Sequence, residues 1–355
     1  MAEATEATLP PLYSAWIREV VGGPIPRETV ATCDHCAMLP PAGSEPTAAF
    51  FLPGLKCCAY QPTIPNFLAG RILADADPGL ARGRAALEEQ IERRVNVLPI
   101  GIRSSGVFQL LYSHTPNVFG RAPDLRCPYL VGDGDCGIWR HRPGVCCTWF
   151  CKYVRGETGR SVWKLVDKLL RAVELDLAIW CAAELGADPA AMAGLATEPH
   201  DRPDVAELGG PINSARYREL WGEWEGREKE LYLGAAKLVD PLGWDRVLAI
   251  CGPTVRVLAQ EARDAARRLA SNEIPARLKV GSYGLTQGAD GEILATSYSS
   301  YDPLTMPERL ADALRTFDGR PTEDALVAIL AERNLSLDLS LLRRLVDFGI
   351  LKDAG

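Results

Sequence analysis

The reading turns on one stretch, Cys127-Pro128-Tyr129-Leu130-Val131-Gly132-Asp133-Gly134-Asp135-Cys136-Gly137-Ile138-Trp139-Arg140-His141-Arg142-Pro143-Gly144-Val145-Cys146-Cys147-Thr148-Trp149-Phe150-Cys151. Its cysteines stand among Gly, Pro and Arg at loop spacing. A cysteine buried as a small hydrophobe has no reason to recur in that pattern. Upstream, Cys33-Asp34-His35-Cys36 has C-x2-C spacing, and Cys57-Cys58 is a vicinal pair. A C-x2-C, a vicinal pair and a cysteine block in one piece of chain point to thiolate coordination of zinc or of an iron–sulfur cluster. The expected ligands are Cys33, Cys36, Cys57, Cys58, Cys127, Cys136, Cys146 and Cys151.

Local charge agrees. Four thiolates around zinc or an oxidised four-iron cluster leave a net charge of about −2 to be offset nearby. Between 126 and 155, Arg126, Arg140, Arg142, Lys152 and Arg155 face only Asp133 and Asp135. Adjacent cysteines point in divergent directions, so both seldom bind one ion. Either one of each vicinal pair is a spectator, or two neighbouring metals share the region.

The rest of the composition bounds the setting. The chain has 355 residues and 11 cysteines, nine of them at or before position 151. An odd count with no basic-then-apolar leader at the N-terminus argues for reduced thiols and a cytoplasmic location. No apolar run reaches the roughly 18 residues that cross a bilayer. The formal net charge of −7 argues against wrapping nucleic acid.

Composition and periodicity divide the chain into three. Residues 1–158 form the cysteine-rich metal-binding domain, with short helices expected at Tyr13–Val21, Asn66–Leu73 and Leu80–Val95. Residues 159–274 read as a helical scaffold. Ser161 is placed to cap a helix presenting Val162, Leu165, Val166, Leu169, Val173, Leu177 and Trp180 on one face, ending at Gly186 before Pro189. Helices follow at Ser214–Val239 and Trp244–Ala270, the latter kinked or split by Pro253. Residues 199–212 read as a surface loop.

Residues 275–355 suggest a small α+β, winged-helix-like domain. Strands are expected at Leu278–Leu285 and Glu292–Tyr301 around Asp290-Gly291, and helices at Pro307–Phe317, Thr322–Arg333 and Leu339–Phe348, with Thr322 as an N-cap. The fold class is therefore mainly α: a loop-rich, metal-stapled cysteine domain, a helical scaffold and this C-terminal module.

The cysteine block resembles the YkgJ-type, CxxCxxCC cysteine-cluster family, a zinc- or iron-chelating domain. The matching residues are Cys127-Pro128-Tyr129-Leu130, the turn Gly132–Asp135, Cys136-Gly137-Ile138-Trp139, Arg142-Pro143-Gly144-Val145-Cys146, and Cys151 five residues on. Cys147 occupies the family's arginine position, which implies a spectator. Twenty residues intervene between Cys36 and Cys57-Cys58, where the family keeps its C-x2-C close to the CC pair. The family also resembles the flagellin lysine methylases, which implies a metal-dependent protein and allows a protein-modifying enzyme. Residues 307–351 resemble PqqD-like peptide-binding domains through Phe317-Asp318-Gly319-Arg320-Pro321-Thr322, Leu326, Ile329 and Leu345–Leu351. That resemblance implies a peptide or protein partner held by strand addition.

Other residues attract blander readings. Cys181 and Cys251 sit on apolar helix faces and read as core. His35 and His141 lie beside ligand candidates and read as supporting or exposed groups. His114 reads as a loop histidine and His200 as surface. Arg343-Arg344 is the one basic cluster of the C-terminal module, read as a solvated helix face. No GxGxxG, P-loop or nucleophile elbow is present, no S-adenosylmethionine site is legible, and no catalytic residue is assigned. The leading expectation is a metal- or cluster-bearing protein acting on a peptide or protein. The alternatives are a binding protein with a structural metal and a metal- or redox-responsive DNA-binding regulator.

Overall fold

A computed structural model describes residues 9–33, 36–40, 50–114, 119–132, 134–188, 211–212, 214–288 and 292–355. Helices dominate, with small antiparallel sheets. The chain forms two compact units, each drawn from three segments: 1–25, 38–149 and 166–260 in the first, 26–37, 150–165 and 261–355 in the second. Among the described residues no helix is long and apolar enough to cross a membrane.

The first unit is built around α2 (Asn66–Ala74), which buries Phe67, Leu68, Ala69, Gly70 and Ile72. Its other helices include α1 (Pro11–Val21), α3 (Ala81–Glu92), α4 (Gly106–His114) and the short α5 (Gly144–Thr148). From 166 onward it also holds most of α6 (Gly156–Glu184), then α7 (Ser214–Trp221), α8 (Glu228–Val239), α9 (Trp244–Cys251) and part of α10 (Pro253–Ala270). Strand β1 (Ile64–Pro65) and β2 (Val97–Leu98) flank β3 (Gly101–Ile102). The hairpin β4 (Leu130–Val131) and β5 (Asp135–Cys136) carries part of the cysteine block.

Asn66, fully enclosed, ties this core together. Its amide nitrogen donates to Pro99 O at 3.0 Å and Ala178 O at 2.8 Å, and its oxygen accepts the Phe67 N–H at 2.7 Å. Asn66→Ala strands two buried carbonyls and one amide, so it is expected to cost about 2 kcal/mol. Urea unfolding checks this, and an unchanged midpoint refutes it.

The second unit is α+β. β6 (Arg277–Val280) lies between β10 (Asp318–Pro321) and β11 (Leu351–Asp353), and β8 (Glu292–Thr296) lies between β7 (Gly284–Gln287) and β9 (Leu304–Pro307). Helices α11 (Glu308–Ala313), α12 (Thr322–Arg333) and α13 (Leu339–Asp347) complete it. Leu278, Phe317, Ile329, Leu342, Leu345 and Ile350 are among its buried side chains. Asp347 is buried too, held by Arg155 through Nε and Nη2, each at 2.9 Å.

Several boundaries correct the sequence expectation. Helix α6 starts at Gly156, so Ser161 is interior and caps nothing. The helix expected over 214–239 is interrupted by Gly222 and Gly226, both left-handed, and becomes α7 and α8. The run 278–285 is two strands, not one. Gly281 donates to Ile350 O at 2.8 Å, and a Cβ there would stand 2.2 Å from Gly349 O, so the chain leaves the first sheet at this glycine. The helix at 307–317 is shorter, Glu308–Ala313, followed by a 3-10 turn to Thr316. Thr322 is the first residue of α12 rather than its cap, and its hydroxyl donates to Pro275 O. Pro253 does split the third long helix, with left-handed Gly252 closing α9. Pro189, Asp290, Gly291 and residues 199–210 lie outside the described residues.

Candidate metal centre

Within the first unit, backbone hydrogen bonds bring two distant cysteine stretches together. The Cys127 N–H donates to Cys58 O at 2.8 Å. Cys57-Cys58 follows a tight turn in which Lys56 is left-handed and Cys58 N–H donates to Leu55 O. Cys127-Pro-Tyr-Leu folds as a knuckle. Leu130 N–H donates to Cys127 O at 3.1 Å, and the amides of Tyr129 and Leu130 also point at the Cys127 sulfur. Glycines 132 and 134, with φ of 53° and 112°, turn the chain through the β4–β5 hairpin, placing Cys136 opposite Leu130. Cys146 then arrives on α5, beyond Pro143.

Four of these thiols share one electrostatic neighbourhood. Cys146 feels Cys127, Cys136, Cys147 and Cys58, and Cys127 feels Cys58 and Cys136. Burial pushes the Cys127 and Cys146 thiols well up, because an isolated thiolate is poorly solvated there. Cys58 moves the other way. Its hydrogen bond with Cys57 is the main cause, aided by Lys56, Arg142 and Arg126. Since the thiolate is the ligand, Cys58 is readier to bind as an anion than Cys127 or Cys146.

Cationic groups stand close. Arg142 is buried, donates from Nε to Trp139 O at 3.0 Å and stacks 3.3 Å above the Trp139 ring. Arg126 reaches Leu130 O and Gly132 O, both at 3.3 Å. The donor set is therefore soft sulfur with amide and guanidinium groups around it, which fits a thiophilic metal. In this geometry no group of three or more His, Cys, Asp or Glu among the described residues is placed to hold a metal ion.

The remaining candidates stand outside this group of four, although Cys147 also lies within electrostatic reach of Cys146. Cys147 is buried with its thiol donating to Gly144 O at 3.3 Å, and its charged neighbours are Arg142, Glu174 and Asp167. Cys33, Cys36 and Cys151 belong to the second unit. There Cys33 is exposed, Cys36 half-buried and Cys151 buried. Burial, with a smaller contribution from Cys36, pushes Cys151 up to about 11. Cys181 packs in α6 with its thiol toward Ala235 O, and Cys251 is half-buried at the end of α9; burial pushes each up to about 12. His141 is held by Asp75, Nε2 to Oδ2 at 2.8 Å, and burial lowers its pKa. His114 Nδ1 lies 3.0 Å from Leu110 O on α4, not in a loop. His35 and His200 fall outside the described residues.

One group escaped the sequence reading. Glu174 on α6 is buried and accepts hydrogen bonds from Tyr13 Oη at 2.5 Å and from the Gly144 amide at 2.6 Å, at the start of the helix bearing Cys146. The available signal was its spacing, four residues from both Leu170 and Ala178 on the apolar face.

No protein-family model matches this chain, nor does any curated protein or solved structure.

Proposed function

We propose that the protein is a cysteine-cluster metalloprotein of the kind the YkgJ-type resemblance implies, holding a zinc ion or an iron–sulfur cluster on thiols of its first unit. Cys58, Cys127, Cys136 and Cys146 are the ligands in this reading, with Cys57 beside them. The observation that carries it is the Cys127 knuckle, whose amides aim at a sulfur that shares its surroundings with three other thiols. Neutral thiols have little reason to gather under such donors; thiolates on a cation do. Closing the group around an ion requires loss of the thiol protons, so occupancy would fall at acid pH. When bound, the centre cross-links three separate stretches of a loop-rich region.

The partner in this reading is an extended peptide or protein segment. Its support is β7, an edge strand of the β7–β8–β9 sheet whose four residues are all exposed. Peptides enriched on the immobilised full-length protein should slow hydrogen exchange over Gly284–Gln287; enrichment that never protects this edge counts against it.

Metal analysis of anaerobically purified protein tests the central claim. Iron with sulfide identifies a cluster, and stoichiometric zinc identifies a mononuclear site. Cys127→Ser and Cys146→Ser should each lose most of that metal, while Cys181→Ser and Cys251→Ser retain it. Equal retention in all four variants overturns the assignment.

A further inference from the structure

Helix α12 of the second unit is apolar on two opposite sides, and only one of them is covered. Inward, Ala325 and Ile329 are buried. The helix is pinned at its start, where the Thr322 N–H donates to Ala276 O and its hydroxyl to Pro275 O, each at 2.8 Å. Arg309 holds the far end, donating from Nη2 to Asn334 O at 3.3 Å. The helix therefore cannot roll to change the side it buries. Outward, Val327 and Leu330 are 68% and 54% exposed, and Ala331 beside them is exposed too. The solvent side of a helix is ordinarily polar, so an apolar stripe there marks a face that something covers.

The charges around that stripe say what covers it. At 3.6 residues per turn, Glu323, Val327, Leu330 and Asn334 follow one another along one line of the helix surface. Glu323 and Asp324 occupy the first turn and Arg333 the last. Among the described residues neither Glu323 nor Arg333 has an ion-pair partner. The stripe is thus negative at one end, apolar in the middle and positive at the other. Turned end over end, it matches itself. Val327 comes against Leu330 of the second copy and Glu323 beside Arg333 of the second copy, and each contact is made twice. A two-fold interface requires self-complementarity of this kind, and an apolar centre with a charged rim is its usual anatomy.

We propose that α12 docks against α12 of a second copy of this chain, antiparallel about a two-fold axis, to form a homodimer. A partner carrying charge of one sign, such as an anionic surface, would be repelled at one end of the stripe. A second copy meets opposite charge at both ends. A helix of twelve residues is about 18 Å long. The contact is therefore small, and the dimer is a weak one that forms in the micromolar range. No cysteine takes part, so the dimer stands or falls separately from the metal centre.

Sedimentation velocity of the full-length chain over a concentration series reads the association directly. The expected result is a mass that rises from one chain towards two as concentration increases. Leu330→Glu sets an unpaired carboxylate against Val327 of the second copy and should raise the dissociation constant about tenfold or more. Position 330 is exposed in the single chain, so the urea midpoint of that variant should not move. Glu323→Lys and Arg333→Glu should each weaken the dimer about tenfold, because each replaces two ion pairs by like charges. The double variant Glu323→Lys/Arg333→Glu should recover wild-type association, and so should an equimolar mixture of the two single variants. Only antiparallel self-pairing predicts that rescue. A wild-type chain that stays monomeric at every concentration overturns the proposal, a measurement that needs no variant to fold. So does a dimer indifferent to Leu330→Glu, or a double variant in which the two losses add instead of cancelling.

Discussion

Gly83→Ala is expected to destabilise the first unit by on the order of 3 kcal/mol or more, although alanine is the better helix former. Gly83 lies in α3, where a Cβ would stand 2.0 Å from Gly137 O and 2.3 Å from its carbonyl carbon. Those are backbone atoms, with no flexible side chain to step aside. Gaining a methyl in a helix is worth about 1 kcal/mol, which the overlap exceeds. Gly70→Ala on α2 should behave alike, since its Cβ would meet Tyr232 O at 1.8 Å. Gly23→Ala is the control, with nothing within 4 Å of its Cβ. The two damaging variants should differ in one respect. Gly137 follows Cys136 directly, so Gly83→Ala displaces a proposed ligand and should lower metal content, while Gly70→Ala should not. Urea midpoints and metal analysis check both halves. A Gly83→Ala protein as stable as Gly23→Ala would show that the two backbones part without cost.

How much of this was legible depended on whether the cause was local. Pro253 announces a break because it has no N–H to give, and the break is there. The apolar face of α6 was readable from spacing: Val162, Val166, Leu169, Val173 and Leu177 are buried, while Leu165 and Trp180 of the same expected face are half-buried. Its start was not, since Gly156 and Gly159 argue against helix while packing favours it. Gly156 adjoins Asp347 and Phe348, and Gly159 adjoins Tyr153 and Glu28. Tertiary contact there outweighs propensity. At the candidate centre, the knuckle at Cys127 was legible, because its amides and sulfur are close in sequence. Cys58 already stood in the expected ligand set, but what seats it beside Cys127, one backbone bond between residues far apart in the chain, was not legible. Nor could cysteine spacing show that Cys151, so near Cys146 in the chain, folds with Cys36 in the other unit.

The stability of the first unit is expected to fall as pH rises from about 4.5 to about 7, and Glu174 is the cause. Burial raises its carboxyl from an ordinary 4.5 to about 7. The hydrogen bonds from Tyr13 on α1 and the Gly144 amide on α5 favour the anion, and desolvation outweighs them. On α6 itself, Asp167 raises the carboxyl and Arg171 lowers it, and the Cys147 thiol on α5 is a further neighbour. With the folded value above the unfolded one, the folded state binds more protons between them. Stability is therefore greatest below about 4.5 and declines with rising pH until the carboxyl is ionised in both states. A gap of that size amounts to about 3 kcal/mol. Glu174→Gln keeps an acceptor for Gly144 but cannot ionise, so its profile should lack this decline. His141 contributes with the opposite sign, because its folded value is lowered, so the wild-type minus Glu174→Gln difference isolates the carboxylate. Urea unfolding of both proteins from pH 4 to 8 measures that difference directly. Parallel profiles would mean that Glu174 keeps an ordinary acidity inside the core, its two donors having matched the cost of its burial.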